Sequence, residues 1–196
     1  EIPAQQNTFK RLFLNCWTEQ AERWIDMPAW DRCAGEYTWS ELRERLKGRP
    51  CFAGLDLSSR TDLTALSLVF EDEDDGLTVV PFFWVPEEGA AKRSRVDRRP
   101  YQQWIRDGLI TATSGNIVDQ EAIRQDVRRL SEDYRIQAIA FDPWNATKLA
   151  VELEGDGFKV IETRQGFRTL SEPTKHLGAL VVGGKFRHGG HPVLRD

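Results

Sequence analysis

Hydrophobic residues fall into short alternating or continuous runs separated by turn residues, and the runs predict strands more often than helices through the first half of the chain. The run Cys51-Phe52-Ala53-Gly54-Leu55-Asp56-Leu57 reads as a strand. Strand side chains alternate faces, so Asp56 shares one with Gly54 and Phe52, while Cys51, Ala53, Leu55 and Leu57 take the other. An alternating run over 63–70, an acidic turn over 71–76 and a run over 77–85 bounded by Pro86 complete a three-stranded antiparallel meander. Residues 86–99 read as a loop carrying Lys92, Arg93, Arg95, Arg98 and Arg99. A short helix over 100–107 closed by Gly108, and an edge strand over 109–113, follow.

The second half switches to helical periodicity. Asp119 is placed to cap a helix whose Ile123, Val127, Leu130 and Tyr134 form one buried stripe. It leads into the strand Ile136-Gln137-Ala138-Ile139-Ala140-Phe141-Asp142, stopped by Pro143, which cannot donate to a sheet ladder. A helix over 145–154 ended by Gly155 and Gly157, a strand over 158–162, and a helix over 171–182 ended by Gly183 and Gly184 complete the pattern. Residues 1–49 are irregular and rich in charge and tryptophan. Their one convincing helix, over 39–46, is opened by Thr38 or Ser40, and the segment reads as an arm whose aromatics pack on a neighbouring body.

A meander followed by alternating helices and strands makes an α/β mixed sheet flanked by helices. A right-handed helical crossover then returns the fourth strand parallel to the first. If those two strands are neighbours, Asp56 and Asp142 emerge together at carboxyl ends, where ligand sites of open α/β sheets lie. Each acid has two readings. It caps the turn or helix that follows, as Asp often does, or the pair holds a hard divalent cation.

Composition narrows the class. The chain has 196 residues, 40% of them hydrophobic and 30% charged, with a formal net charge of -4, as in a globular protein that is not a general nucleic-acid coat. Cys16, Cys33 and Cys51 form no CxxC pair, which fits a reducing compartment better than a disulfide framework or structural zinc. No apolar run approaches membrane-spanning length. A start at Glu1 and an end at Asp196 without a turn signal are expected of a piece of something longer.

Six strings then make a specific resemblance: GLDLSSRTDLTAL (54–66), FFWVPE (82–87), RRPYQQWIRDGLI (98–110), FDPWNATKL (141–149), RQGFRTLSEPTK (164–175) and RHGGHPVLR (187–195). In order and spacing they resemble the nuclease half of the large terminase subunit of tailed bacteriophages, a member of the RNase H-like superfamily. The WT and RW elements near Trp17 and Trp24 resemble the segment joining that family's ATPase half to its nuclease half.

The resemblance implies an RNase H-like nuclease domain over 50–196, truncated at its C-terminus, and a linker over 1–49 from an absent ATPase domain. No GxxxxGK[ST] phosphate loop occurs; Gly183-Gly184-Lys185 lacks the spacing. It implies a metal-dependent endonuclease that cuts concatemeric viral DNA during genome packaging. Two Mg2+ or Mn2+ ions would serve the complete enzyme, with Asp56 and Asp142 as the first two metal-binding carboxylates and Asp62 as a nearby catalytic acid that holds the second ion or its water. The family's further Asp lies in a KIDG-like string that this sequence lacks, so the third carboxylate is expected beyond Asp196.

Arg98, Arg99, Lys148, Arg164, Gln165, Lys175 and His188 are candidate DNA contacts, against a reading as solvated surface or ordinary loop residues. Trp144 reads as a packing wedge under the Asp142 turn, with stacking on a frayed base as the alternative. The implied partners are double-stranded DNA, the portal protein, the small terminase subunit and other copies in the packaging motor, without a membrane, in the host cell cytoplasm. A junction-resolvase-like nuclease and a non-catalytic docking module of the motor are the competing functions.

Overall fold

The computed structural model describes residues 24–58 and 62–196. Trp17, Cys16 and the first part of the arm lie outside them. Seven strands form one mixed sheet: β1 (Pro50–Asp56), β2 (Thr64–Glu71), β3 (Leu77–Pro86), β4 (Thr111–Thr113), β5 (Arg135–Phe141), β6 (Val160–Glu162) and β7 (Phe186–Arg187). Their order is β4-β3-β2-β1-β5-β6, with β7 beside the start of β3. The meander pairs antiparallel, β5 and β6 add parallel to β1, and β4 and β7 add parallel to β3. Since β2 alone runs the other way, the carboxyl ends of β1, β3, β4, β5 and β6 emerge at one edge.

The alternation of β1 is realised as expected, with Cys51, Ala53 and Leu55 buried and Phe52, Gly54 and Asp56 exposed. The register of β1 against β5 shifts between Cys51, which pairs with Ile136, and Phe52, which pairs with Ala138. One face of the sheet (Leu66, Leu68, Val80, Trp84 and Ile139) packs on three helices: α2 (Trp39–Arg45), α5 (Gln120–Asp133) and α6 (Pro143–Gly155). The stripe on α5 buries Ile123, Val127 and Leu130, and Asp119 caps the helix by accepting from Glu121 and Ala122 N–H at 3.0 Å each.

The opposite face near β3 is covered by α1 (Met27–Arg32) and the C-terminal half of α7 (Phe167–Val182), whose Ala29, Leu180 and Val181 pack with Val79 of β3 and Phe186 of β7. A third cluster joins β3 to α3 (Glu87–Val96), α4 (Tyr101–Arg106) and Val193 of the short α8 (Pro192–Arg195).

Several elements depart from the sequence expectation. Most of 86–99 is no loop: Ala90, Ala91, Lys92 and Arg93 are good helix formers, and α3 runs over Glu87–Val96 after Pro86 despite Gly89, leaving only 97–99 beyond it. α6 begins two residues early because Asp142 and Pro143 supply its N-cap and first position. α7 begins at Phe167 rather than 171 and carries Pro173 within it, at an exposed position. β7, α1 and α8 are unforeseen. Helix α2 has a complete capping box, Thr38 accepting from Glu41 N–H and the Glu41 carboxylate accepting from Thr38 N–H, so Thr38 is the cap. Leu42 and Leu46 join the main core, so this part of the arm is integral to the body.

Candidate metal centre and nucleic-acid interface

Asp56 and Asp142 come out side by side. Leu55 pairs with Phe141, and one further step along both strands brings the two acids level, with neighbouring strands about 4.8 Å apart. Asp142 keeps extended backbone (φ −83°, ψ 123°) and caps α6: its Oδ1 accepts from Trp144 N–H at 3.0 Å. Its Oδ2 accepts from Gln165 N–H at 3.3 Å, tying the turn after β6 to the same carboxylate. The capping reading of Asp142 is thus realised, and each oxygen retains lone-pair capacity for a further partner. Asp56 caps nothing. It is exposed, and among the described residues its carboxylate has no hydrogen-bond or ion-pair partner.

Asp62 stands differently. Its backbone N–H donates to Ser58 Oγ at 2.9 Å, and its carboxylate is paired with Arg93 of α3. The same guanidinium donates to Asp97 Oδ1 at 3.3 Å, so Arg93 joins the Asp62 loop to the end of α3. Among the described residues, no three acidic, His or Cys side chains form a metal-sized cluster. The donor set present, one unpartnered carboxylate beside one oriented by two N–H groups, fits a single hard cation completed by water. Arg93 was not foreseen as a neighbour of the acids, and the only sequence signal was its place in a basic run.

The expected DNA contacts divide. Arg164 and Gln165 leave β6 beside Asp142 and, with Pro143 and Trp144, line an open cleft of about 650 Å³. Arg164 is exposed and paired with Glu162 at 3.0 Å. Lys148 on α6 and Lys175 on α7 are exposed, with Glu152 and Glu172 as neighbours at 3.7 and 2.8 Å. Arg98 and Arg99 occupy the turn between α3 and α4. Arg98 is exposed with φ 55°, and Arg99 pairs with Asp196 at 2.6 Å.

Two expectations are corrected. His188 is not a surface contact: it is 1% exposed and stacks on Trp30 with ring centroids 4.4 Å apart. Its Nδ1 accepts from Gly190 N–H at 3.1 Å, so Nε2 carries the proton and donates to Trp30 O at 2.9 Å. Burial holds the His188 pKa below its ordinary value. Trp144 is not a wedge under the turn either. It is 88% exposed, because the cap at Asp142 starts the helix so that position 144 faces solvent.

A mixed sheet with an antiparallel meander and parallel additions, flanked by helices, is the RNase H-like arrangement, and the matching solved structures share that fold. Residues 1–195 match the family described as terminase large subunit, endonuclease domain, and the chain belongs to that family. It is 34% identical over 195 residues to the terminase large subunit of Enterobacteria phage HK97, covering 98% of this chain and 37% of that protein. It is 28% identical over 196 residues to Protein YmfN of Escherichia coli (strain K12), covering 96% and 42%.

The crystal structure of the HK97 bacteriophage large terminase matches with a TM-score of 0.78 at 33% identity, over 98% of this chain and 39% of that one. The large terminase nuclease from thermophilic phage G20c shares the fold at 14% identity, with a TM-score of 0.50 over 74% of this chain and 61% of that one. The chain therefore spans about two fifths of the length of the curated relatives it matches.

Proposed function

We propose that this chain is a divalent-metal-dependent endodeoxyribonuclease domain that cuts concatemeric viral DNA during genome packaging, with Asp56 and Asp142 holding the metal. The observation that carries the reading is the level placement of the two carboxylates at adjacent parallel strand ends, one of them without a partner among the described residues. Bound Mg2+ or Mn2+ would polarise a phosphate oxygen and lower the pKa of a bound water. Asp142 is oriented for the task by the Trp144 and Gln165 N–H groups, while Asp56 is free to turn toward a cation.

Asp62 spends its charge on Arg93. A second ion, as in a complete two-metal enzyme, would draw its remaining ligands from elsewhere. Arg98, Arg99, Lys148, Arg164, Gln165 and Lys175 would position the phosphate backbone without reading bases; buried His188 takes no part. In this reading residues 1–49 lead in from an ATPase half and 50–196 form the nuclease. Double-stranded DNA, the portal protein, the small terminase subunit and further copies in the motor are the partners, in the host cytoplasm. Among the described residues no helix is long and apolar enough to cross a membrane.

Nicking of supercoiled plasmid in manganese tests the activity: the chain should nick, and Asp56→Asn should not. Equal nicking by both would overturn the assignment. Thermal melting tests the metal separately. Magnesium or manganese should raise the melting temperature, and Asp142→Asn, which keeps a capping oxygen, should abolish the rise.

A further inference from the structure

Trp144 and Phe167 are each 88% exposed, and both stand close in sequence to groups bonded to one carboxylate. Trp144 is two residues past Asp142 and binds its Oδ1 through the backbone; Phe167 is two residues past Gln165, whose N–H binds Oδ2. The cleft between Pro143-Trp144 and Arg164-Gln165 therefore has two walls hydrogen-bonded to the same acid. An indole left this open serves no packing role in the described body, and leaving its apolar surface in water is unfavourable. Arg164 is exposed and lines the cleft beside Trp144, and a cationic group next to an aromatic ring complements a nucleic-acid strand in both charge and π-surface.

We propose that Trp144 is a stacking platform for a nucleobase that has left the duplex. The Asp142 acid would thus receive a phosphodiester next to an unstacked base lying against the indole. This rests on the nuclease reading above and adds a substrate preference to it: DNA that is already locally unpaired binds better than fully paired duplex. The preference arises because a base in a bubble has already lost its stacking partners, whereas a paired base must be extracted first. Arg164 contributes by charge and so supports both substrates alike.

The test uses two fluorescently labelled duplexes of one length, fully paired or with a central three-base bubble containing 2-aminopurine. Affinity is read by anisotropy in calcium. The wild-type chain should bind the bubble more tightly, and its 2-aminopurine emission should fall as the base stacks on indole. Trp144→Ala should lose about fivefold or more in affinity for the bubble, the lower end of what stacking on an aromatic contributes, and should bind both duplexes alike. Trp144→Phe should restore most of the preference, which a merely structural role would not predict. Arg164→Glu should weaken both duplexes by a similar factor.

Equal wild-type binding of the two duplexes, or a bubble preference kept in Trp144→Ala, overturns the platform while leaving the nuclease reading intact. Failure to bind either duplex overturns both. Circular dichroism and melting of the variants establish that each is folded.

Discussion

Two loops that carry glycine and have aromatic neighbours sit at different places on this sheet, and they have opposite fates. The His188-Gly189-Gly190-His191 loop is driven into the body: His188 stacks on Trp30, His191 lies against Trp39 and Phe83, and Trp39 N–H donates to Gly189 O at 2.8 Å. Arg195 then clamps Asp31 with two bonds of 2.7 and 2.9 Å. The loop thereby fastens α1 and α2 to the sheet. The turn at Arg164-Gln165-Gly166, facing Trp144, is instead held by one carboxylate and leaves its aromatic neighbours in solvent. Glycine beside aromatic rings goes with a fastening in one place and an open cleft in the other, and what separates them is the chain packed across each.

The sharpest way to break the comparison is at the glycines. At Gly189 (φ 60°) an added Cβ would lie 2.5 Å from the Trp39 backbone, whereas at Gly166 nothing stands within 4 Å. Gly189→Ala should therefore cost about 4 kcal/mol, combining left-handed strain with overpacking against backbone. Gly166→Ala should stay within about 0.5 kcal/mol, as surface changes do. Urea unfolding of the pair checks this, and equal losses would show that the two loops are not distinguished by packing.

Acid titration gives the next effect. Burial, helped by the positive Arg43 and by His188, pulls the His191 pKa down from 6.5 to about 4, and Nδ1 is buried without a partner among the described residues. With the folded pKa depressed, the unfolded chain binds the proton first, so stability is full above 6.5 and declines as pH falls toward 4. The loss attributable to His191 should approach about 3 kcal/mol at the bottom of that window. His188, shifted in the same direction, adds to it. Replacing His191 with Phe should flatten the decline, measured by urea unfolding across the pH range. An unchanged slope would mean that His191 does not titrate in this way.

The smallest contrast is between the tryptophans. Trp30→Ala removes the ring on which His188 stacks and should cost about 2 kcal/mol, less than a wholly buried tryptophan because Trp30 is only half-buried. Trp144→Ala should shift stability by less than about 0.5 kcal/mol. Melting curves of the two variants decide it.

The sequence revealed what local periodicity controls. The meander, the stripe on α5, the cap at Asp119 and the parallel return of β5 follow from side chains a few residues apart. It misjudged what distant chain controls. His188 is buried by Trp30, 158 positions away, and the exposure of Trp144 depends on nothing in the described body crossing it. The acids were legible because a carboxylate at the end of an apolar strand is conspicuous in any sequence. The Arg93 pairing of Asp62 was not, because a run of basic residues between Pro86 and Pro100 hid a helix.

The register shift between β1 and β5 acts as a vernier. Before it, Cys51 stands opposite Ile136; after it, Phe52 stands opposite Ala138, so β5 has advanced by one residue, Gln137. Had the earlier offset continued, Asp56 would face Phe141 and Asp142 would stand one place further on, beside Leu57. Because successive residues in a strand alternate sides, that single step would have separated the carboxylates onto opposite faces. The alignment of the two acids is thus set about 13 Å away, four strand residues back, by an irregularity carrying no chemistry of its own.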